Sequence, residues 1–249
     1  MATAAHLEGE DRFARAPYVL HWHRAGSPLP VRPVLAPAAA RAHAPAAPAW
    51  LTTGPAGRPF DFCAHVRRLC ADIAAHTPEL AHVDIGRVLF AFTQARNGRT
   101  HGLQARVTPL RFHDGHLTRR QRGVTFQVQR YFVDGREVYY LMTFCLPRFL
   151  NQGFDEKFVT LFHELYHIGP AFDGDLRRHE GRCAVHTRSQ RRYDERMADL
   201  ARAYLAGGAS ADLHGFLRLN HAQLRHRHGH VVGVVVPRPK LIPLPSAAS

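Results

Sequence analysis

The run His163-Glu164-Leu165-Tyr166-His167 is an H-E-x-x-H pentapeptide, and its chemistry works only on a helix. There, residues i and i+4 stand one above the other on one face, so both imidazoles can reach a single zinc ion. The carboxylate beside the first histidine is then placed to take a proton from water that the metal polarises. That is the core of a metallopeptidase. Because the chain holds 19 histidines in 249 residues, the flanking sequence has to support the motif.

It does. Phe154, Phe158, Leu161, Leu165 and Ile168 recur at helical spacing, and at ~100° per residue they gather on one face while His163 and His167 fall on the other. Asp155 and Glu156 stand in the expected first turn, where carboxylates suit the positive end of the helix dipole, and Gly169-Pro170 is a stop signal. The spacing predicts a helix from Phe154 to Ile168 with a core side and a chemical side.

A catalytic zinc takes three protein ligands and leaves a fourth position for water. Asp173 stands where the metzincin pattern puts its last histidine, yet Pro170 occupies the position of that pattern's glycine, which argues against it. His186 precedes a second amphipathic helix, expected from about Ser189 to Ala206 on the period of Tyr193, Met197, Leu200, Ala201, Tyr204 and Leu205. A ligand at its entrance could be aimed back at the first helix, so His186 is the preferred third ligand, with Asp173, Asp175, His179 and Cys183 as alternatives. Asp173-Gly174-Asp175 also reads as an ordinary polar turn. Tyr193, Arg178 and Arg182 are candidate oxyanion stabilisers.

The run Phe162-His163-Glu164-Leu165-Tyr166-His167-Ile168-Gly169-Pro170-Ala171-Phe172-Asp173-Gly174-Asp175-Leu176-Arg177 resembles the F-H-E-L-[WY]-H-I-x-P-x-F-D-G-D-[LI]-R signature of a family of uncharacterised bacterial and phage proteins assigned as zinc metallopeptidases. Gly181-Arg182-Cys183-Ala184-Val185-His186 is similar to its G-R-x-x-x-H, and a looser likeness extends from about Phe60 to Ala206. The resemblance implies a zincin-like fold with His163, His167 and His186 on one zinc ion and Glu164 as base. A more distant similarity is to SprT-like proteases, although the C-x-x-C pairs of their zinc ribbon have no counterpart here.

Nine of the 17 prolines lie at or before Pro59, and residues 1–57 are expected to be disordered apart from a short strand near Tyr18–Trp22. Residues 58–236 are expected to form the domain, and 237–249 a Pro-rich extended tail. Within the domain the patterns predict a helix from Phe60 to Ala75, a buried strand at Val88–Phe92 and another within Gly102–Phe112. A hairpin is expected to join Val124–Val128 to Val138–Phe144 through Asp134-Gly135, followed by a helix at Leu213–Arg225 and a strand at Val231–Val236. The fold expected is α+β, with a small, mostly antiparallel sheet packed on the motif helix and the helix after it. An edge of that sheet within residues 124–146 is expected to wall the cleft and receive an extended peptide or protein substrate.

No apolar run reaches the ~18 residues of a membrane span, and the N-terminus lacks a signal-peptide pattern, so a cytoplasmic location is expected. Cys63, Cys70, Cys145 and Cys183 form no C-x-x-C pair and are expected to be reduced thiols. The formal charge is +13, and only Lys157 and Lys240 of the 33 basic residues are lysine. Arg119-Arg120-Gln121-Arg122, Arg177-Arg178 and Arg191-Arg192 could contact phosphates, so the alternative function is a non-catalytic zincin-like module binding nucleic acid or a protein partner. His226-Arg227-His228-Gly229-His230 reads as a tract of adventitious metal affinity.

Overall fold

Two apolar runs without alternation, Val88-Leu89-Phe90-Ala91-Phe92 and Tyr140-Leu141-Met142-Thr143-Phe144-Cys145-Leu146, demand cover on both faces of their strands. The computed structural model describes residues 19–22, 29–36, 53–99, 101–178 and 190–245, and it places these two runs side by side in the interior. In chain order the strands are β1 (Val19–Trp22), β2 (Val31–Pro33), β3 (Phe60–Asp61), β4 (Val88–Gln94), β5 (Ala105–Pro109), β6 (Thr118–Gln121), β7 (Val124–Val128), β8 (Arg130–Val133), β9 (Arg136–Val138), β10 (Tyr140–Leu146), β11 (Val231–Val234) and β12 (Leu241–Pro243). The α-helices are α1 (Phe62–His76), α2 (Phe154–Tyr166), α3 (Gln190–Ala206), α4 (Ala211–His214) and α5 (His221–His228). The class is α+β.

The central sheet runs β4-β10-β5. β10 pairs parallel with β4, from Tyr140 opposite Val88 to Leu146 opposite Gln94, and antiparallel with β5. Tyr140, Met142, Phe144 and Leu146 share one fully buried face of β10, where Phe62 of α1 stands edge-on to Phe144 with centroids 5.2 Å apart. Asp61 caps α1 by accepting the Ala64 N–H.

Several expectations need correction. The pairing is mostly antiparallel as expected, but the strands form four three-stranded sheets among the described residues instead of one, and the longest pairing, β4 with β10, is parallel. Asp134-Gly135 does make a hairpin turn, with φ of 49° and 75°, but it joins β8 to β9, while β7 pairs with β6 and β12. Strands also form outside residues 58–236: β1, the short strand expected near Tyr18–Trp22, pairs with β8, while β2 pairs with β11 and β12, within the expected tail, with β7. The physical reason is local apolar content, since Trp22, Val34 and Ile242 are buried. The helix expected at Leu213–Arg225 is interrupted, because Asn220 accepts the Gln223 N–H and starts α5 afresh.

Lys157 on α2 is fully buried, and its Nζ donates to the carbonyls of Leu217 and Leu219 at 2.8 Å each. Burial lowers its pKa from 10.5 to about 7. A neutral amine has two hydrogens, which suffice for these two carbonyls. Between pH 7 and 10.5 the unfolded chain therefore holds a proton that the folded chain has shed, and stability rises with pH across that window. Lys157→Met is expected to lower the unfolding free energy by about 2–4 kcal/mol at pH 9 and by less at pH 7, which chemical denaturation at the two pH values measures.

Candidate metal centre

α2 starts where Glu156 Oε2 accepts the Gly153 N–H at 2.8 Å, with Asp155 and Glu156 in the first turn as expected. Its last turn closes when the His167 N–H bonds to the His163 carbonyl at 3.2 Å, so His167, at the C-cap, keeps helical register with His163. The two rings lie 4.5 Å apart between centroids. The chemical side predicted for this helix is covered rather than open: His167 is only 6% exposed. The cover is α3, whose Tyr193 stands edge-on to His163 at 4.9 Å and stacks on His167 at 5.8 Å with an interplanar angle of 20°. Packing thereby fixes both imidazoles.

Glu164 is 7% exposed, and its Oε2 accepts the Val107 N–H of β5 at 2.8 Å. Burial raises its pKa to about 7, against the opposing pull of the Val107 hydrogen bond and the Arg106 charge. A base poised near neutrality is suited to shuttling a proton. The strand beside the motif is thus β5, outside the 124–146 range expected for the cleft wall. β10 is excluded because β4 and β5 occupy both its edges.

Asp173 and Asp175 hold a turn instead of facing the histidines. Asp173 Oδ1 accepts the Asp175 N–H at 3.0 Å, while Asp175 takes the Leu176 N–H at 2.8 Å and the Arg178 guanidinium at 3.0 Å. Gly174 between them has φ of 92°, and a Cβ there would meet Arg111 Cγ at 2.3 Å, so the turn requires glycine. The Tyr140 hydroxyl donates to the Asp175 carbonyl and accepts the Gly174 N–H, tying the turn to β10. His179, Arg182, Cys183 and His186 lie outside the described residues.

Among the described residues no group of three His, Cys, Asp or Glu side chains is placed to hold a metal. His163 and His167 fit zinc as a pair of nitrogen donors with a carboxylate base adjacent, and a complete set needs a further donor. Two contributors escaped the sequence: the Val107 N–H, which no pattern announces, and Asp194, whose Oδ1 is 3.6 Å from His163 Nδ1. Only the place of Asp194, directly after the inward-facing Tyr193, could have pointed to it.

Other expected features have structural duties. Arg177 lies over the Tyr166 ring at 4.1 Å and donates from Nε to the Tyr166 carbonyl, and Arg119 lies over Phe112. His228 is buried, with its ring nitrogens on Thr53 Oγ1 at 2.8 Å and the Arg58 carbonyl at 3.0 Å, so it is a core residue. Cys63, Cys70 and Cys145 are free and buried, and burial pushes the Cys63 thiol up to about 12. No helix among the described residues is long and apolar enough to cross a membrane.

Without bound metal the folded chain holds the Glu164 proton between pH 4.5 and about 7 while the unfolded chain has lost it, so stability falls as pH rises through that window. Glu164→Gln removes this loss. The metal-free variant is expected to unfold at higher denaturant than wild type at pH 8, by up to roughly 3 kcal/mol, and to show no advantage at pH 4. No protein-family model, characterised protein or solved structure compared with the chain matches it.

Proposed function

We propose that the chain is a zinc-dependent peptidase of zincin-like architecture, with α2 as its active-site helix. The observation that carries this reading is the joint placement of His163, His167 and Glu164: two imidazoles 4.5 Å apart on one helix face, and a buried carboxylate with a pKa near 7 beside them. His163 and His167 are the ligands, and the resemblance of Gly181–His186 to the family's G-R-x-x-x-H makes His186 the third. When bound, zinc supplies a Lewis acid that polarises the scissile carbonyl and acidifies water.

The rest is the work of this chain's residues. Glu164 takes the proton from the attacking water and passes it to the leaving amine, with Val107 holding one carboxylate oxygen through the cycle. Tyr193 keeps the imidazoles in place and shields them from bulk water. β5 is an edge strand of its sheet among the described residues, and an extended peptide laid along it runs past Glu164.

Elemental analysis of dialysed, tag-free protein tests this together with a peptide library. One zinc per chain is expected in wild type and none in His163→Ala, His167→Ala or His186→Ala. Glu164→Gln is expected to keep zinc and lose roughly 10²–10⁴-fold in hydrolysis. A folded, zinc-supplemented wild type without stoichiometric metal would sink the proposal and leave the basic-surface binding module. Cleavage that Glu164→Gln performs equally well would do the same.

A further inference from the structure

We propose that Asp194 is a positioning residue for the metal: its carboxylate holds the His163 imidazole by Nδ1 and so presents Nε2 to zinc. The inference rests on the zinc reading above. It starts from the packing of α3 on α2. Tyr193 touches both histidine rings, which fixes the rotation of α3 about its axis, and the next residue, Asp194, is carried to the flank of His163. There its Oδ1 stands 3.6 Å from Nδ1. Among the described residues Asp194 belongs to no three-donor group with His163 and His167.

The chemistry follows from the two ring nitrogens being distinct. A neutral imidazole carries one proton, and a carboxylate beside Nδ1 draws that proton to Nδ1, leaving the Nε2 lone pair for a metal. The carboxylate also resists rotation of the ring. At 3.6 Å the contact is longer than a hydrogen bond and within ion-pair range. The Asp194 side chain is 46% exposed, so its influence is directional rather than a strong buried field. His167 is braced differently, by the stacked Tyr193 ring. One turn of α3 therefore braces both ligands of α2, the first by charge and the second by packing.

The test uses the full chain as wild type, Asp194→Ala and Asp194→Asn, with three readouts: zinc affinity by competition with a chromogenic chelator, thermal unfolding without metal, and the visible absorption of the cobalt-substituted protein. Asp194→Ala is expected to weaken zinc roughly 10–100-fold, a loss typical of an outer carboxylate, with the metal-free unfolding midpoint unchanged. Asp194→Asn keeps an acceptor oxygen and is expected to recover part of that affinity, which a purely structural role would not predict. Cobalt absorption is expected to keep its band positions in both variants.

Wild-type affinity in Asp194→Ala overturns the proposal while leaving the zinc reading intact. A changed cobalt spectrum in either variant overturns it by making Asp194 a direct ligand. A wild type that binds no zinc removes the zinc reading, and the proposal with it. If Asp194→Ala fails to fold, Asp194→Asn decides alone: a folded variant with affinity equal to wild type counts against the charge, and an intermediate affinity supports it.

Discussion

A carboxylate buried among apolar side chains is tolerated only with a hydrogen-bond donor, and on α2 the donor is the Val107 N–H of an edge strand. That one bond joins the motif helix to β5, and through the ladder of β5 on β10 to the central sheet. It sets how far along the sheet the helix sits, and therefore where its histidines stand. The same burial that makes the bond necessary brings Glu164 to a pKa near 7, so the constraint that locates the helix also tunes its carboxylate.

α2 is held on three sides by three different kinds of contact. Phe158, Leu161, Phe162 and Leu165 are fully buried in the core, and Lys157 reaches two carbonyls of the segment after α4. The histidine side is closed by the aromatic ring of Tyr193. Imidazoles on a helix locked in this way lose little freedom on meeting a metal, which is what precise coordination requires. The cost is access. His167 is nearly closed to solvent, at 6% exposure.

How much of this was legible depends on whether the information is local. The caps and apolar stripe of α2 are local, and so is the Asp134-Gly135 turn, whose two positive φ values suit those residues. Strand partners are not local. Val124–Val128 alternates cleanly, yet it is Gln127 that is buried while Val124 is 40% exposed, because β6 and β12 dictate its orientation. β2 and β12 contain proline and lie at sheet edges, where a missing N–H is harmless, so a proline-rich composition did not exclude them from the fold. In the candidate site, the helical register of His163 and His167 is local and readable from the motif. Val107 and Asp194 reach it only through tertiary packing, the first by a backbone group that carries no sequence signature.

Charge shows the same distinction between composition and placement. A net +13 suggests a phosphate-binding surface, but arginine is also a flat, stackable group, and several of these arginines are spent inside the fold. Arg111 and Arg130 both pair with Glu137, Arg87 and Arg111 lie over Tyr139, and Arg177 and Arg196 lie over Tyr166 at 4.1 and 4.9 Å. The last pair matters most for the centre. Tyr166 lies between the two histidines in sequence, and its two guanidinium contacts come from the turn after α2 and from α3. Arg177, which the sequence reading offered as a phosphate contact, thus joins elements around the candidate metal centre, and the sum of charges alone says little about what this surface binds.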